Sequence, residues 1–307
     1  MTAMHPGIAC PDPLARAPRA ATFEHARLHL PPPALQGALT VLLSRDTSAL
    51  ALDSAQRLSH FPASPLVSLS WYHGVEAGLV APGPAGPQWH PFGAQAVLSG
   101  SQSAPTVGWG PTTGRGYMAC FTPDVAQALF GVDPGAIQDR FVPASDALGP
   151  QRQSFLRDLL AAPDDARAMD VLANHLAPRW AAAQGRATSN ASLRQLGRHW
   201  VDRLAWQAHE WARTHSPRHV ERRVKAFSGR SLRQWQALVK TEGLFFAARS
   251  RYEEGKDFDW ATLALDEGFA DQSHMVRASR RITGFAPGEF AQRFVEDESF
   301  WLYRLWV

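Results

Sequence analysis

The first part of the chain alternates short apolar runs with proline, glycine and serine. This pattern extends from Thr22 to Phe121. Short runs bounded by turn residues predict short strands that pack as a β-sandwich or barrel. We expect strands at residues 23–30, 39–43, 66–71, 96–98, 106–109 and 117–121. Residues 81–91 are rich in proline and glycine and are predicted to form a loop.

After residue 121 the apolar positions follow helical spacing. Thr122-Pro123 is a typical helix start, and Gly131 a typical helix end. Residues 151–161 and 164–177 predict a helical pair. Its apolar stripe either packs on the β-rich part or leaves a face for a two-fold dimer. The stripe consists of Phe155, Leu156, Leu159, Leu160, Met169, Leu172 and Leu176. The polar run 184–190 predicts an interdomain linker.

Residues 259–294 predict two short helices joined by a tight turn. Asp259 is suited to cap the first helix, and Gly268 is suited to end it. The second helix is expected to begin after Asp271 and to end at Gly284. Its apolar face holds Met275, Ala278 and Ile282, and its polar face holds Ser273, Arg277 and Arg280. This arrangement is typical of a helix-turn-helix.

The same pattern occurs 55 positions earlier in the chain. The corresponding pairs are Ser216 and Asp271, His219 and His274, Arg222 and Arg277, Lys225 and Arg280, Gly229 and Gly284, and Trp235 and Phe290. The inner face of this earlier helix is predicted to hold Val220, Val224 and Phe227. We infer one supersecondary unit used twice. Residues 232–252 predict a helix that connects the two units.

Residues 259–294 resemble the second helix-turn-helix of the AraC/XylS family of transcription regulators. The matching positions, in one register without a gap, are Gly268-Phe269, Asp271, Ser273-His274, Arg277, Gly284 and Pro287. The resemblance continues through the connector and covers the last third of the chain. Residues 60–74 and 120–143 also resemble the front domain of one AraC-like subgroup.

The resemblance implies that the second helix of each unit enters the major groove of DNA. In the second unit, the residues expected to face base edges are Gln272, Ser273, Val276 and Arg277, and Arg280 is expected near a phosphate. In the first unit, the corresponding outer residues are Arg218, Glu221, Arg222 and Lys225. Glu221 is expected to accept from a cytosine, to hold Arg218 or Arg222 in place, or to be a surface glutamate that points past the groove.

The sequence departs from the family pattern at four positions. His209 and Glu210 stand where the family usually has Leu-Ala, and Val224 and Ser279 stand where it usually has core phenylalanines. These departures could leave cavities. The residues expected to fill them are Trp206, Trp211, Trp235 and Trp260.

Charge is unevenly distributed along the chain. The formal net charge is only +3, yet residues 216–251 contain nine basic and two acidic residues. Such a local excess favours contact with DNA phosphates. A solubilising helix face is the alternative interpretation.

The length of 307 residues suggests two domains. We expect an α+β chain: a disordered arm (1–21), a β-rich barrel- or sandwich-like sensing or dimerising domain with helices (22–183), and an all-α DNA-binding domain with two helix-turn-helix units joined by a connecting helix (191–307). No apolar run is long enough to span a membrane, and no signal peptide is evident. Cys10 and Cys120 offer no disulfide framework. A cytoplasmic location is expected.

Catalytic and metal-binding patterns are weak. His60, His73 and His90 could converge on a metal, but their spacing matches no tight motif, and loop or pocket histidines are the alternative. Trp71, Trp89, Trp109 and Tyr117 either line a pocket for an apolar or aromatic effector or pack in the core. No glycine-rich phosphate loop or nucleophile motif occurs. We expect no catalytic residue, no metal and no cofactor.

The sequence therefore predicts a sequence-specific transcription regulator that is not an enzyme. Its expected partners are double-stranded DNA, a small-molecule effector and a second copy of the chain. The alternative is a front domain that binds or converts a small molecule, with the helical module serving as an interaction platform.

Overall fold

The computed structural model describes residues 10–20, 25–84, 86–183, 196–228, 230–240, 262, 265, 266 and 269–306. The predicted linker at 184–190, the second half of the connector, Gly229 and most of the predicted first helix of the second unit (259–268) lie outside these residues. Within them, antiparallel sheets in the first part of the chain are followed by helices. The expected α+β class is therefore confirmed.

Ten strands of the described residues form two antiparallel sheets. They are β1 (Ala26–His29), β2 (Val41–Asp46), β3 (Ser59–Phe61), β4 (Val67–His73), β5 (Gly78–Gly83), β6 (Gly86–Pro91), β7 (Ala96–Ser99), β8 (Thr106–Trp109), β9 (Arg115–Phe121) and β10 (Phe141–Pro143). The larger sheet has the order β1-β2-β9-β4-β7-β10, and the smaller one β3-β8-β5-β6.

The predicted loop at 81–91 is wrong, because most of this stretch forms the β5–β6 hairpin. Pro82 pairs with Pro87 across the hairpin. β6 is an edge strand, and β8 pairs with β5 only at Gly78 and Leu79. These prolines therefore lie where no ladder hydrogen bond is needed, which is where strands tolerate proline.

The two faces of the larger sheet differ in composition. On β4, Val67, Leu69 and Trp71 belong to the main core, which is shared with the front helices. The alternate residues Ser68, Ser70 and Tyr72 point to the opposite side, since successive strand residues face opposite ways. On β4, one face is thus packed with large apolar groups, and the other carries two serines and a tyrosine.

Five helices follow or interrupt the front sheets: α1 (Pro123–Phe130), α2 (Pro134–Ile137), α3 (Ala144–Leu148), α4 (Gln153–Ala161) and α5 (Asp165–Ala182). α1 ends at Gly131, whose φ of 74° is left-handed as predicted. The predicted stripe is buried in the chain's own core at five of its seven positions. Leu160 and Met169 are partly buried against the same core. The stripe therefore packs on the β-rich part.

The rear helices are α6 (Leu196–Ala212), α7 (Pro217–Ser228), α8 (232–240), α9 (Gln272–Thr283), α10 (Pro287–Glu296) and α11 (Trp301–Trp306). One rear core joins Val224 and Trp235 to Ala63 of the front part and to Ile282 of α9. The rear helices are thus packed on the front sheets. Nowhere in the described ranges is a helix both long and apolar enough to cross a membrane.

Residues 10–20 were expected to be disordered, but the structure packs them against the end of α10. Pro18 forms a bridge with Asp297, and Ala17 is fully buried. The Asp297 carboxylate is 1% exposed and accepts from Arg16 at 2.9 Å and from Arg293 at 3.0 Å. Two guanidinium groups thus compensate a buried charge. The partners lie about 280 residues away in sequence, so local composition did not reveal them.

Candidate DNA-binding surface and ligand cavity

The two basic helices, α7 and α9, begin in the same way. Each has 12 residues. The Ser216 hydroxyl accepts from the His219 N–H at 3.4 Å, and the Asp271 carboxylate accepts from the His274 N–H at 2.6 Å. Such caps satisfy N–H groups that have no partner in the first turn. The sequence repeat is therefore present in the hydrogen bonding as well.

The ends of the two helices also correspond. The Ser228 hydroxyl lies 2.7 Å from the Val224 carbonyl and 3.1 Å from the Arg230 carbonyl. Fifty-five residues later, the Thr283 hydroxyl lies 2.9 and 3.2 Å from the two corresponding carbonyls. These hydroxyls engage carbonyl groups at the helix ends. The sequence comparison had not identified this pair of residues, although both are hydroxyl residues at equivalent positions.

The predicted DNA-facing residues are at the surface. Arg218, Glu221, Arg222, Lys225, Gln272, Ser273, Arg277 and Arg280 are exposed, and Val276 is partly buried. The predicted inner residues Val224, Met275, Ala278 and Ile282 are buried. Phe227 was expected on the inner face, and this is wrong, because its side chain is 36% exposed. The adjacent Ser228 takes the inward position, where its hydroxyl ends the helix.

Glu221 pairs with a different residue from those expected. Its carboxylate lies 2.9 Å from the Lys225 ammonium, one helical turn away. Arg222 instead contacts the His219 ring at 3.2 Å. In this structure the carboxylate therefore partners Lys225, and the expectation that it holds Arg218 or Arg222 is not met.

The departures from the family pattern are accommodated locally. Ser279 is fully buried, and its hydroxyl donates to the Phe285 carbonyl at 2.8 Å. Trp235 fills the first unit, and Trp211 packs against the same core. Trp206, expected to fill a cavity, is 64% exposed. Trp260 lies outside the described residues.

A cavity of about 260 Å³ lies between the two front sheets. It exists because the inward positions hold small side chains: Ser68 and Ser70 on β4, Gly116 on β9, and Gly108 on β8. A Cβ at Gly108 would lie 3.1 Å from the Phe61 ring, so this wall is closely packed. The lining is mainly apolar, which is typical of a small-molecule site.

Two arginines line the cavity, in different settings. Arg45 pairs with Glu298 at 2.8 Å and lies 5.0 Å from the Trp301 ring. Arg57 lies 5.9 Å from the Trp109 ring and donates to the Pro111 carbonyl at 2.6 Å. Among the described residues Arg57 pairs with no carboxylate. Desolvation lowers its pKa.

The predicted aromatic lining is half present. Trp109 and Tyr117 line the cavity. Trp71 is fully buried in the main core, and Trp89 packs against Trp109 with ring centroids 5.6 Å apart. Cys120 also lines the cavity, and burial raises the pKa of its thiol to about 12. It is a buried residue of β9.

The described residues contain no cluster of side chains suited to hold a metal ion. His60 is buried between Phe285 and Phe300, with ring centroids 5.4 and 4.9 Å away, and desolvation lowers its pKa to about 4. His90 is exposed on β6, and His73 ends β4. The histidines thus occupy separate environments rather than one site.

One serine, histidine and aspartate cluster lies outside the cavity lining. The His29 Nε2 atom is 3.1 Å from the Ser44 hydroxyl and also 3.1 Å from the Asp165 carboxylate. The Ser44 hydroxyl donates to the same carboxylate at 3.1 Å. A catalytic triad needs the two ring nitrogens to face different partners. Here one nitrogen faces both, so the cluster lacks that geometry.

Comparisons with known proteins gave weak likenesses. No family model matches this chain, and no curated protein matches it significantly. Solved structures of ToxT from Vibrio cholerae are similar at low level. One has a TM-score of 0.37 and 8% identity over 87% of this chain and 98% of that chain. Another, bound to an unsaturated fatty acid, has a TM-score of 0.34 and 12% identity over 76% and 93% of the two chains. Likeness at this level assigns no function.

Proposed function

We propose that this protein is a sequence-specific transcription regulator that binds double-stranded DNA through an AraC/XylS-like module. The main support is the pair of equivalent units. α7 and α9 share their length, their N-terminal caps and the hydroxyl contacts at their C-terminal ends. Each also presents arginine and polar side chains to solvent at equivalent positions. A helix of this kind is suited to the major groove.

In this proposal each helix reads one short DNA sequence, called a box: α7 reads the first box and α9 reads the second. Side chains of the two helices contact both base edges and phosphates. Gln272, Ser273, Val276 and Arg277 face base edges in the second box, and Arg280 faces a phosphate. In the first box Arg218 and Arg222 face base edges, and the paired side chains of Glu221 and Lys225 lie beside them. Arginine pairs well with guanine, and phosphate contacts set position without carrying sequence information.

The cavity between the sheets is the proposed effector site. Its mainly apolar lining suits an apolar or aromatic small molecule. Arg57 at this wall favours a molecule that also carries an acceptor or a negative group. We further propose that the protein acts in the cytoplasm. We also propose that it forms a homodimer, since two-fold dimers are the commonest closed assembly.

An enzymatic front domain has less support. Its clearest marker would be an acid/base pair in the cavity. The titratable groups at the cavity wall are an arginine paired with a glutamate, a second arginine, a buried thiol and tyrosines. We therefore place the activity of the protein at the DNA-binding helices.

The test is selection of bound sequences from random DNA, followed by the salt dependence of binding to the winner. We expect a preferred sequence with two short boxes and a steep loss of affinity with salt. The double variant Arg222→Ala with Arg277→Ala should lose the preference. Arg167→Ala is the matched control, because Arg167 is an exposed arginine on α5 that pairs with Asp170. No preferred sequence, or equal loss in the control, would refute the proposal.

A further inference from the structure

The cavity is bounded by the second helix-turn-helix unit as well as by the sheets. Ile282 and Thr283, the last two residues of α9, belong to its lining, together with Trp301, Leu302 and Tyr303 of α11. Within the described residues 196–228 and 230–240, none lines the cavity. Of the part of the chain that the structure describes, only the second unit of the pair therefore borders the cavity.

The last turn of α9 is held directly by the front part. The Ala63 N–H donates to the Ile282 carbonyl at 2.8 Å, and the two side chains share one buried cluster. This bond satisfies one of the carbonyls that a helix end leaves unpaired. Four of the five predicted DNA-facing residues of α9 remain exposed while the bond is made, and Val276 is partly buried. Docking of this end thus leaves the DNA-facing surface free.

The helix that follows the second unit closes another part of the cavity. The Trp301 indole N–H donates to the Ser59 hydroxyl at 2.8 Å. Leu302 packs with Val41 and Leu43 of β2. A molecule in the cavity would therefore contact both α9 and the segment after α10.

The first unit is attached to the front part elsewhere. Arg230, which follows α7, lies 3.4 Å from Asp139, and Arg203 of α6 lies 3.5 Å from Asp124. None of these four residues lines the cavity. The ion pairs of the first unit are therefore remote from the cavity, although both units also share the buried cluster that contains Ala63 and Ile282.

We propose that an occupant of the cavity acts on DNA binding through the second unit and leaves the first unit as a constant anchor. This rests on the proposed function and specifies its regulation. An occupant shifts an equilibrium only through contacts that differ between states, and the contacts available here are to α9 and α11. An occupant that packs against the last turn of α9 fixes that helix before it meets DNA. Binding to the second box then loses less conformational entropy.

The first experiment fills the cavity without a ligand. Ser70→Phe places a ring in the cavity from β4, and Ser48→Phe is the control at an exposed turn. Affinity is measured on DNA with both boxes intact and with either box scrambled. We expect Ser70→Phe to tighten binding to probes with the second box by about fivefold or more, the lower end of ordinary coupling. Probes with only the first box should be unaffected.

A second arm avoids the risk that a bulky substitution disturbs folding. Anilinonaphthalene sulfonate, an apolar dye with one anionic group, serves as the probe occupant of the unchanged protein. Dye binding should be weakened by Ser68→Leu, and the dye should slow amide exchange in 275–285 but not in 217–228. If Ser70→Phe does not fold, the dye experiment alone tests the inference on regulation.

The outcomes separate the two proposals. The inference on regulation is overturned by any of three results with the cavity filled: affinity changes equally at both boxes, changes at the first box alone, or changes at neither box. Equal slowing of amide exchange in both segments, or none while the dye is bound, overturns it too. If the unmodified protein prefers no DNA sequence, the proposed function itself fails, whatever the cavity does.

Discussion

Replacing Glu221 with alanine distinguishes the roles open to this carboxylate. In the structure the carboxylate lies 2.9 Å from the Lys225 ammonium, and both side chains are more than half exposed. The substitution therefore removes one negative charge from the outer face of α7 and leaves one ammonium without its partner. We expect tighter binding to all DNA sequences, with no change in preference.

The magnitudes follow from the geometry. An exposed Glu-to-Lys pair one turn apart contributes about 0.3–0.5 kcal/mol to helix stability, so folding should hardly change. A released lysine adds one phosphate contact. Each such contact steepens the dependence of log affinity on log salt by about 0.9, which is roughly eightfold in affinity at ~0.1 M salt.

The assay measures binding to the selected DNA and to random DNA at several salt concentrations. Asp170→Ala is the control, because Asp170 forms a similar exposed pair with Arg167 on α5. Both DNA types should gain affinity together in Glu221→Ala and stay unchanged in the control. A changed preference at one base pair, worth about 1–3 kcal/mol, would instead mean that Glu221 reads a cytosine, and the reasoning from the Lys225 pair would be refuted.

Four further predictions concern other parts of the molecule. Arg277→Ala should cost about 1–3 kcal/mol and relax choice at one base pair, whereas Arg280→Ala should weaken all sequences alike; equal loss on selected and random DNA in Arg277→Ala would contradict the base-contact role. His60 has a folded pKa of about 4, below its ordinary value, so it binds fewer protons when folded and stability should fall as pH drops from 6.5 to 4. This loss of unfolding free energy, roughly 3 kcal/mol, should be absent when thermal unfolding of His60→Phe is measured at the same pH values. An identical pH profile in the variant would contradict the assignment to His60. Inserting half a turn of DNA between the two boxes should abolish the footprint of a single chain on one of them. Unchanged protection of both boxes would show that the two units do not bind DNA as one rigid body. Sedimentation at micromolar concentration should show a dimer, and a single species of the 33.7 kDa chain with and without DNA would exclude one.

Local signals in the sequence determined the helix ends. Asp271 accepts from a first-turn N–H, and Gly131 and Gly284 adopt φ values of 74° and 88°. A cap and a left-handed terminus depend on the residue and its near neighbours, so they can be predicted without the fold. The repeat and the exposed outer faces of α7 and α9 follow from the same local periodicity.

Short elements and distant partners needed the tertiary structure. β3 and β10 have three residues each and gain their strand character from the neighbours they pair with. The hairpin at 78–91 depends on an edge position that sequence does not reveal. The pairing of Glu221 with Lys225 is one of several surface arrangements that the same sequence permits.

The cavity is the feature most dependent on the fold. The alternation on β4 predicts that Ser68 and Ser70 share one face, but not that small residues of two sheets meet across the same space. Nor does it predict that Ile282 and Trp301, far along the chain, complete the wall. Helix ends are determined by contacts over a few residues, whereas a cavity is determined by which distant surfaces approach one another. The sequence therefore determined the equivalent ends of α7 and α9, and only the tertiary structure decided that α9 borders the cavity.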